Sequence, residues 1–130
     1  MIEFRLSPPI PTKKTDALFT QIIHMLDGRE LGRAMWAATG DGAVQILELW
    51  VDPSCRRAGI GRRLFRAMVE NAREFHKLRD EKLRRLWIGV GHKSHIVGRS
   101  FLTSEGFHLI TSTGGLLMDQ DLLIYVKSLD

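Results

Sequence analysis

The stretch Leu49–Leu64, LWVDPSCRRAGIGRRL, decides how the rest of the chain is read. It opens as the end of a long apolar run, Ala43–Val51 (AVQILELWV), which reads as a strand. Asp52-Pro53 ends that strand, and a short loop with Arg56 and Arg57 leads to Gly59 and Gly61. From there the period changes. Ile60, Leu64, Met68, Ala72 and Phe75 recur every three or four residues, while Arg62, Arg63, Arg66, Arg73 and Glu74 fill the other faces. This pattern predicts an amphipathic helix of about four turns or more. Strand, glycine loop and helix N-terminus together suit a phosphate group. The first N–H groups of a helix have no intrahelical acceptor, and the helix dipole favours negative charge there. Gly59 and Gly61 would let a diphosphate approach the backbone without a Cβ in the way, and Arg56 and Arg57 would add charge-assisted bonds. A glycine turn with solvated arginines has the same composition, so this segment alone leaves both readings open. It is not a Walker loop, because no Gly-Lys-Ser/Thr follows, and Leu64 stands where a dinucleotide fingerprint needs its third glycine.

The remainder of the chain is consistent with one ordinary domain. Its 130 residues are 44% hydrophobic and 26% charged, enough to bury a core. No stretch approaches the ~18 apolar residues of a membrane span, and Met1–Pro9 lacks the pattern of a signal peptide. The single cysteine, Cys55, excludes an internal disulfide and a cysteine-rich zinc site, so a reducing cytoplasm is the expected location. The net charge of +4 suits an anionic ligand but is too small to argue for nucleic acid. Positive charge is concentrated: Arg56–Arg85 holds eleven Arg or Lys against four Asp or Glu. Most of these read as the solvated face of the helix.

Working outward, Ile2–Leu6 alternates as a short strand, and the proline-rich Ser7–Lys14 reads as a loop. Leu18–Leu26, a turn at Asp27-Gly28, Leu31–Ala38, a turn at Gly40–Gly42 and Ala43–Val51 predict a three-stranded antiparallel meander. After the helix, Arg79–Arg85 is a charged connector and Leu86–Val90 a short strand. Ile96–Ser104 predicts a second helix ended by Gly106. Phe107–Thr111 and Leu122–Val126 close the chain as strands, joined through a turn at Thr113–Gly115. The class is mixed α/β, with a central, mostly antiparallel sheet of six or seven strands flanked by helices.

LWVDPSCRRAGIGRRL resembles the acetyl-coenzyme A motif of the GNAT superfamily of N-acetyltransferases, Arg/Gln-x-x-Gly-x-Gly/Ala, through Arg56, Gly59 and Gly61, with Val51-x-Pro53 before it. His95–Phe107 (HIVGRSFLTSEGF) resembles a second element of the family, Asn-x-x-Ala-x-x-Leu-Tyr-x-x-x-Gly-Phe, through Phe101, Gly106 and Phe107. The resemblance covers roughly residues 18–127. It implies a sheet splayed in its middle and acetyl-coenzyme A as cosubstrate, with no metal. Arg56 and the backbone of Arg57, Ala58, Gly59, Ile60, Gly61 and Arg62 would hold the pyrophosphate. Leu49, Trp50 and Val51 would pair with the pantetheine arm, with His95 and Phe101 on its far side. The thioester would lie between this strand and Leu86–Val90. Three positions depart from the family: His95 for Asn, Gly98 for Ala, and Leu102 for the Tyr that commonly protonates the leaving thiolate.

Amine acetylation needs a neutral amine, and so a base or a water path. Strict alternation would place Val44, Ile46, Glu48 and Trp50 on one face, with Glu48 the only ionisable group on it. Burial there would make it a better base; pairing with an arginine or facing solvent are the other readings. His24, on a face with Leu18, Thr20 and Ile22, reads first as a structural histidine and second as a base. His95 is a weaker candidate near the cleft, and His92-x-x-His95 lacks the partners of a zinc site. Cys55 reads as a loop thiol. Trp50 either walls the acyl group or packs in the core.

Relatives usually carry two helices between the first strands, and Ser7–Ala17 leaves little room for them. The acceptor side is therefore expected to be open. An open side suits a protein amine, a loosely held small-molecule amine, or a site completed by a second copy in a homodimer. The leading function is an acetyl-coenzyme A-dependent N-acetyltransferase, cytoplasmic, with no nucleic-acid or membrane partner. The alternative is a coenzyme A-binding domain of the same fold with weak or lost catalysis, which Leu102 and the missing helices favour.

Overall fold

The computed structural model describes residues 4–6, 10–12, 15–25, 30–53, 59–91, 99–112 and 122–129. The elements run β1 (Phe4–Leu6), β2 (Ile10–Thr12), β3 (Thr15–Met25), β4 (Glu30–Gly40), β5 (Ala43–Val51), α1 (Ile60–Lys77), β6 (Arg85–Gly91), α2 (Arg99–Ser104), β7 (His108–Ser112) and β8 (Leu122–Ser128). One sheet has the order β1-β3-β4-β5-β6-β8-β7, with β2 also beside β3. The mixed class and the β3-β4-β5 meander are as expected, but among the described residues the sheet has eight strands, not six or seven. The difference is β2, inside the proline-rich stretch read as a loop. Pro11 is tolerated because β2 is a three-residue segment paired only to β3. Residues 7–9 and 13–14 are all that separate β1, β2 and β3, too few for a helix. The expected turns at Asp27-Gly28 and Thr113–Gly115, and the start of the second expected helix, lie outside the described residues.

The β4–β5 hairpin turns through Gly40, Asp41 and Gly42, all at positive φ. A Cβ on Gly42 would run into the Lys82 carbonyl, so glycine is needed there for space as well as conformation. The Arg84 N–H donates to the Gly42 carbonyl (2.7 Å), which seats the charged connector at the start of β6.

α1 lies on one face of the sheet. Its buried stripe, Ile60, Leu64, Phe65, Met68, Ala72 and His76, extends the periodicity read from the sequence. Ala34, Trp36, Val44, Ile46, Leu49 and Val51 from β4 and β5 belong to the same core, as do Leu86, Ile88 and Val90 from β6. Each large apolar side chain so buried contributes about 1.5–3 kcal/mol. Phe65 is a hub: the rings of Phe101 (6.0 Å) and Phe107 (5.8 Å) meet it edge-on, which brings α2 against the first half of α1.

Two irregularities set the geometry of the opposite face. The β3–β4 register passes from Ile23↔Gly32 to His24↔Glu30, leaving Leu31 as an extra residue in β4. The β4–β5 register passes from Met35↔Glu48 to Trp36↔Ile46, leaving Leu47 as an extra residue in β5. Such β-bulges bend a strand and shift which face its later residues occupy.

Candidate active site

β5 and β6 are parallel and pair only over Ala43↔Arg85, Val44↔Leu86 and Gln45↔Trp87. The ladder stops there, just before the bulge at Leu47. Beyond it, the Leu47–Trp50 segment has no β6 neighbour in the ladder. The sheet therefore opens into a cleft between the second half of β5 and Ile88–Gly91 of β6.

α1 starts at the mouth of this cleft. Gly59 is its N-cap, at φ 75°, and no side chain caps the helix. The first intrahelical bond is Arg63 N–H to Gly59 carbonyl (3.1 Å), so the amides of Ile60, Gly61 and Arg62 precede the ladder of helical bonds. The first turn carries no acidic residue. Among the described residues, a Cβ on Gly59 would meet nothing within 4 Å, so none of them closes the space in front of it. These features suit an anion at the helix N-terminus.

Gly61 is closely packed: a Cβ there would lie 3.3 Å from Val51 Cγ2 and 3.9 Å from Phe101 Cε2. Its missing side chain lets the first turn sit close on the end of β5 and on α2. Ile60 is fully buried, so only its backbone can face a ligand. The Arg62 side chain is engaged elsewhere: its Nε donates to Glu105 Oε1 at 2.9 Å. Glu105 is 8% exposed, and this pair staples α1 to the end of α2. Sequence reading missed it because the partners are 43 positions apart.

Glu48 also departs from expectation. The bulge at Leu47 breaks the alternation, so Glu48 does not share a face with Val44 and Ile46. Across the ladder, Trp36 stands opposite Ile46 and Ala34 opposite Leu49 on the core face. Met35 stands opposite Glu48, and Arg33 opposite Trp50, on the other face. Leu49 is fully buried and Val51 nearly so, whereas Glu48 and Trp50 are half-buried. The spacing of Ile46 and Leu49 was the available signal, since two core residues three apart cannot alternate in a regular strand. Arg33 is the arginine near Glu48, with Nη1 at 3.6 Å from Oε1.

His24 stands opposite Glu30 in the β3–β4 register, one strand further from the cleft. Phe101 is half-buried against Phe65 beside Gly61. Leu102 is fully buried in the core. Arg56, Arg57, Ala58, His92 and His95, with Cys55, lie outside the described residues. Among the described residues, no three His, Cys, Asp or Glu are grouped to hold a metal ion. Among them, no helix is long and apolar enough to cross a membrane.

Comparison with known proteins agrees with this fold. The model of a family described as "Acetyltransferase (GNAT) domain" matches residues 20–109. No curated protein sequence matches the chain. Among solved structures, the chain is similar to an IAA acetyltransferase from Bacillus cereus ATCC 14579 (TM-score 0.75, 15% identity), over 98% of this chain and 100% of that one. It is also similar to a Bacillus anthracis str. Ames protein, assigned as a streptothricin acetyltransferase and solved in complex with acetyl coenzyme A. That match has a TM-score of 0.70 at 16% identity, over 89% of this chain and 65% of the other. A third similar structure is the ribosomal-protein-S18-alanine N-acetyltransferase from Escherichia coli (TM-score 0.65, 16% identity), over 88% and 70% of the two chains. The family model spans the second half of β3, the parted β5 and β6, and the Gly59–Gly61 turn at the head of α1; the chain belongs to the GNAT acetyltransferase family.

Proposed function

We propose that this chain transfers the acetyl group of acetyl-coenzyme A to a primary amine by direct attack in a ternary complex. The observation that carries the reading is the cleft between β5 and β6, open at one end onto Gly59 and the uncapped start of α1. The first-turn amides and the open front of Gly59 suit the pyrophosphate. The Leu47–Trp50 segment offers a strand edge to the pantetheine arm. Glu48, half-exposed on the face away from α1, takes the proton that the amine loses as its nitrogen bonds to the thioester carbonyl carbon. Breaking the C–S bond releases coenzyme A as a thiolate. Leu102 has no proton to give, so the thiolate leaves unassisted or takes a proton from water. The acceptor side is the open face of the sheet, with room for a small-molecule amine or an amine on a protein.

Gly59→Asp tests the cofactor half of this reading. Asp tolerates a left-handed backbone better than most residues and suits a helix N-terminus. It also puts a negative charge where the pyrophosphate would sit. Acetyl-coenzyme A should raise the melting temperature of the parent chain by linkage, and Gly59→Asp should fold and lose that rise. A folded Gly59→Asp with the full rise would reject the phosphate assignment. Thiol release from acetyl-coenzyme A with a panel of primary amines tests the transfer half. Binding without release by any amine would favour a coenzyme A-binding role over catalysis.

A further inference from the structure

Three charges form a chain across the open face. Arg33 presents its side to Glu30: Nε donates to Oε1 at 2.9 Å and Nη2 to Oε2 at 3.0 Å. Its remaining Nη1 lies 3.6 Å from Glu48 Oε1, an ion pair longer than a hydrogen bond. Among the described residues, nothing else bonds the Glu48 carboxylate. Both contacts depend on the extra residues. Glu30 and Arg33 are three apart, and in a regular strand they would point to opposite faces. The bulge at Leu31 brings them together.

We infer that Glu30 anchors the Arg33 guanidinium side-on, so that Arg33 positions Glu48 by charge and leaves its carboxylate oxygens open to accept a proton. A guanidinium pairs best with a carboxylate through two parallel N–H bonds. Two carboxylates compete here for one fork, and Glu30 holds it. Released from Glu30, the fork would close on Glu48 and occupy the lone pairs that an amine proton needs. Glu30 and Arg33 are thus positioning residues, and their role in turnover rests on the reading of Glu48 as the base. Among the described residues, the other charges near the strands beside Glu48 are few. His24 stands opposite Glu30 on β3, and Arg85 stands opposite Ala43 at the far end of β5. Ile88–Val90 of β6 carries no charge, and α1 lies on the other face.

The test is acetyl transfer from acetyl-coenzyme A to a primary amine that turns over, measured on the full chain. Glu30→Gln should lower kcat by about threefold or more with little change in KM for acetyl-coenzyme A, because the freed fork closes on Glu48. All three side chains are a third or more exposed, so the variants should fold. Arg33→Met in the Glu30→Gln background removes the fork and should recover part of the lost kcat. No loss in Glu30→Gln, or a loss that Arg33→Met does not relieve, would overturn the proposal. Glu48→Gln alone tests the base assignment, so a failure of that reading is distinguished from a failure of this one.

Discussion

The two faces of the sheet differ sharply where β4 and β5 cross it. On the α1 face, Ala34, Trp36, Ile46 and Leu49 are closed off from solvent and carry no charge. On the other face, Arg33, Met35, Glu48 and Trp50 are half-buried, and the ionisable ones are linked by charge. Glu48 and Leu49 are neighbours in sequence and sit on opposite faces. One face contributes apolar burial. The other keeps ionisable groups near water, where a proton can arrive and leave at low cost. Among the described residues no helix covers that second face.

Leu49→Ala and Glu48→Gln test this contrast most directly. Leu49→Ala removes a fully buried side chain and should cost about 2–5 kcal/mol, seen as a lower urea midpoint with an unchanged slope. Glu48→Gln should leave that midpoint within about 0.5 kcal/mol, as a surface change does. With an amine that turns over, it should instead slow acetyl transfer by about 10²-fold or more and abolish the acidic limb of the pH–rate profile. Coenzyme A affinity should hardly change, because Gln keeps the shape of the side chain and leaves the backbone edge of the strand and the head of α1 intact. Full activity in Glu48→Gln would move proton removal to solvent or a histidine, with His24 the next candidate and then His95. A large stability loss in Glu48→Gln would instead break the division between the faces.

A smaller effect is expected at Leu102, the position aligned with the family tyrosine. The side chain is buried on the core side. Leu102→Tyr should therefore overpack the core, lowering stability by about 1–3 kcal/mol, and should not speed transfer. A thermal melt and a thiol-release assay on the same variant would show both. Faster transfer with unchanged stability would mean that this position reaches the cleft after all.

The sequence was most legible where a pattern is local. The α1 stripe, the bounds of β5, the Gly40–Gly42 hairpin and the glycine turn before α1 all follow from spacing over a few residues. The short interval between β1 and β3 was equally legible, since few residues lie between Leu6 and Leu18. β2 was hidden by Pro11, because a proline-rich stretch reads as a loop until a neighbouring strand is there to pair with it.

What only the tertiary structure decided lies at the bulges and between distant elements. Composition does not say which residue of β5 is left unpaired, because that depends on how β4 lies beside it. Leu47 is the extra residue, and its insertion moves Glu48 from the expected core-side face to the open one. The Glu30–Arg33 fork depends in the same way on Leu31. The Arg62–Glu105 staple and the contact of Gly61 with Val51 and Phe101 join parts of the chain that only folding brings together. Local periodicity is enough to specify elements and the glycine turn. Which side chains meet in the cleft is set by register, and register is a property of paired strands.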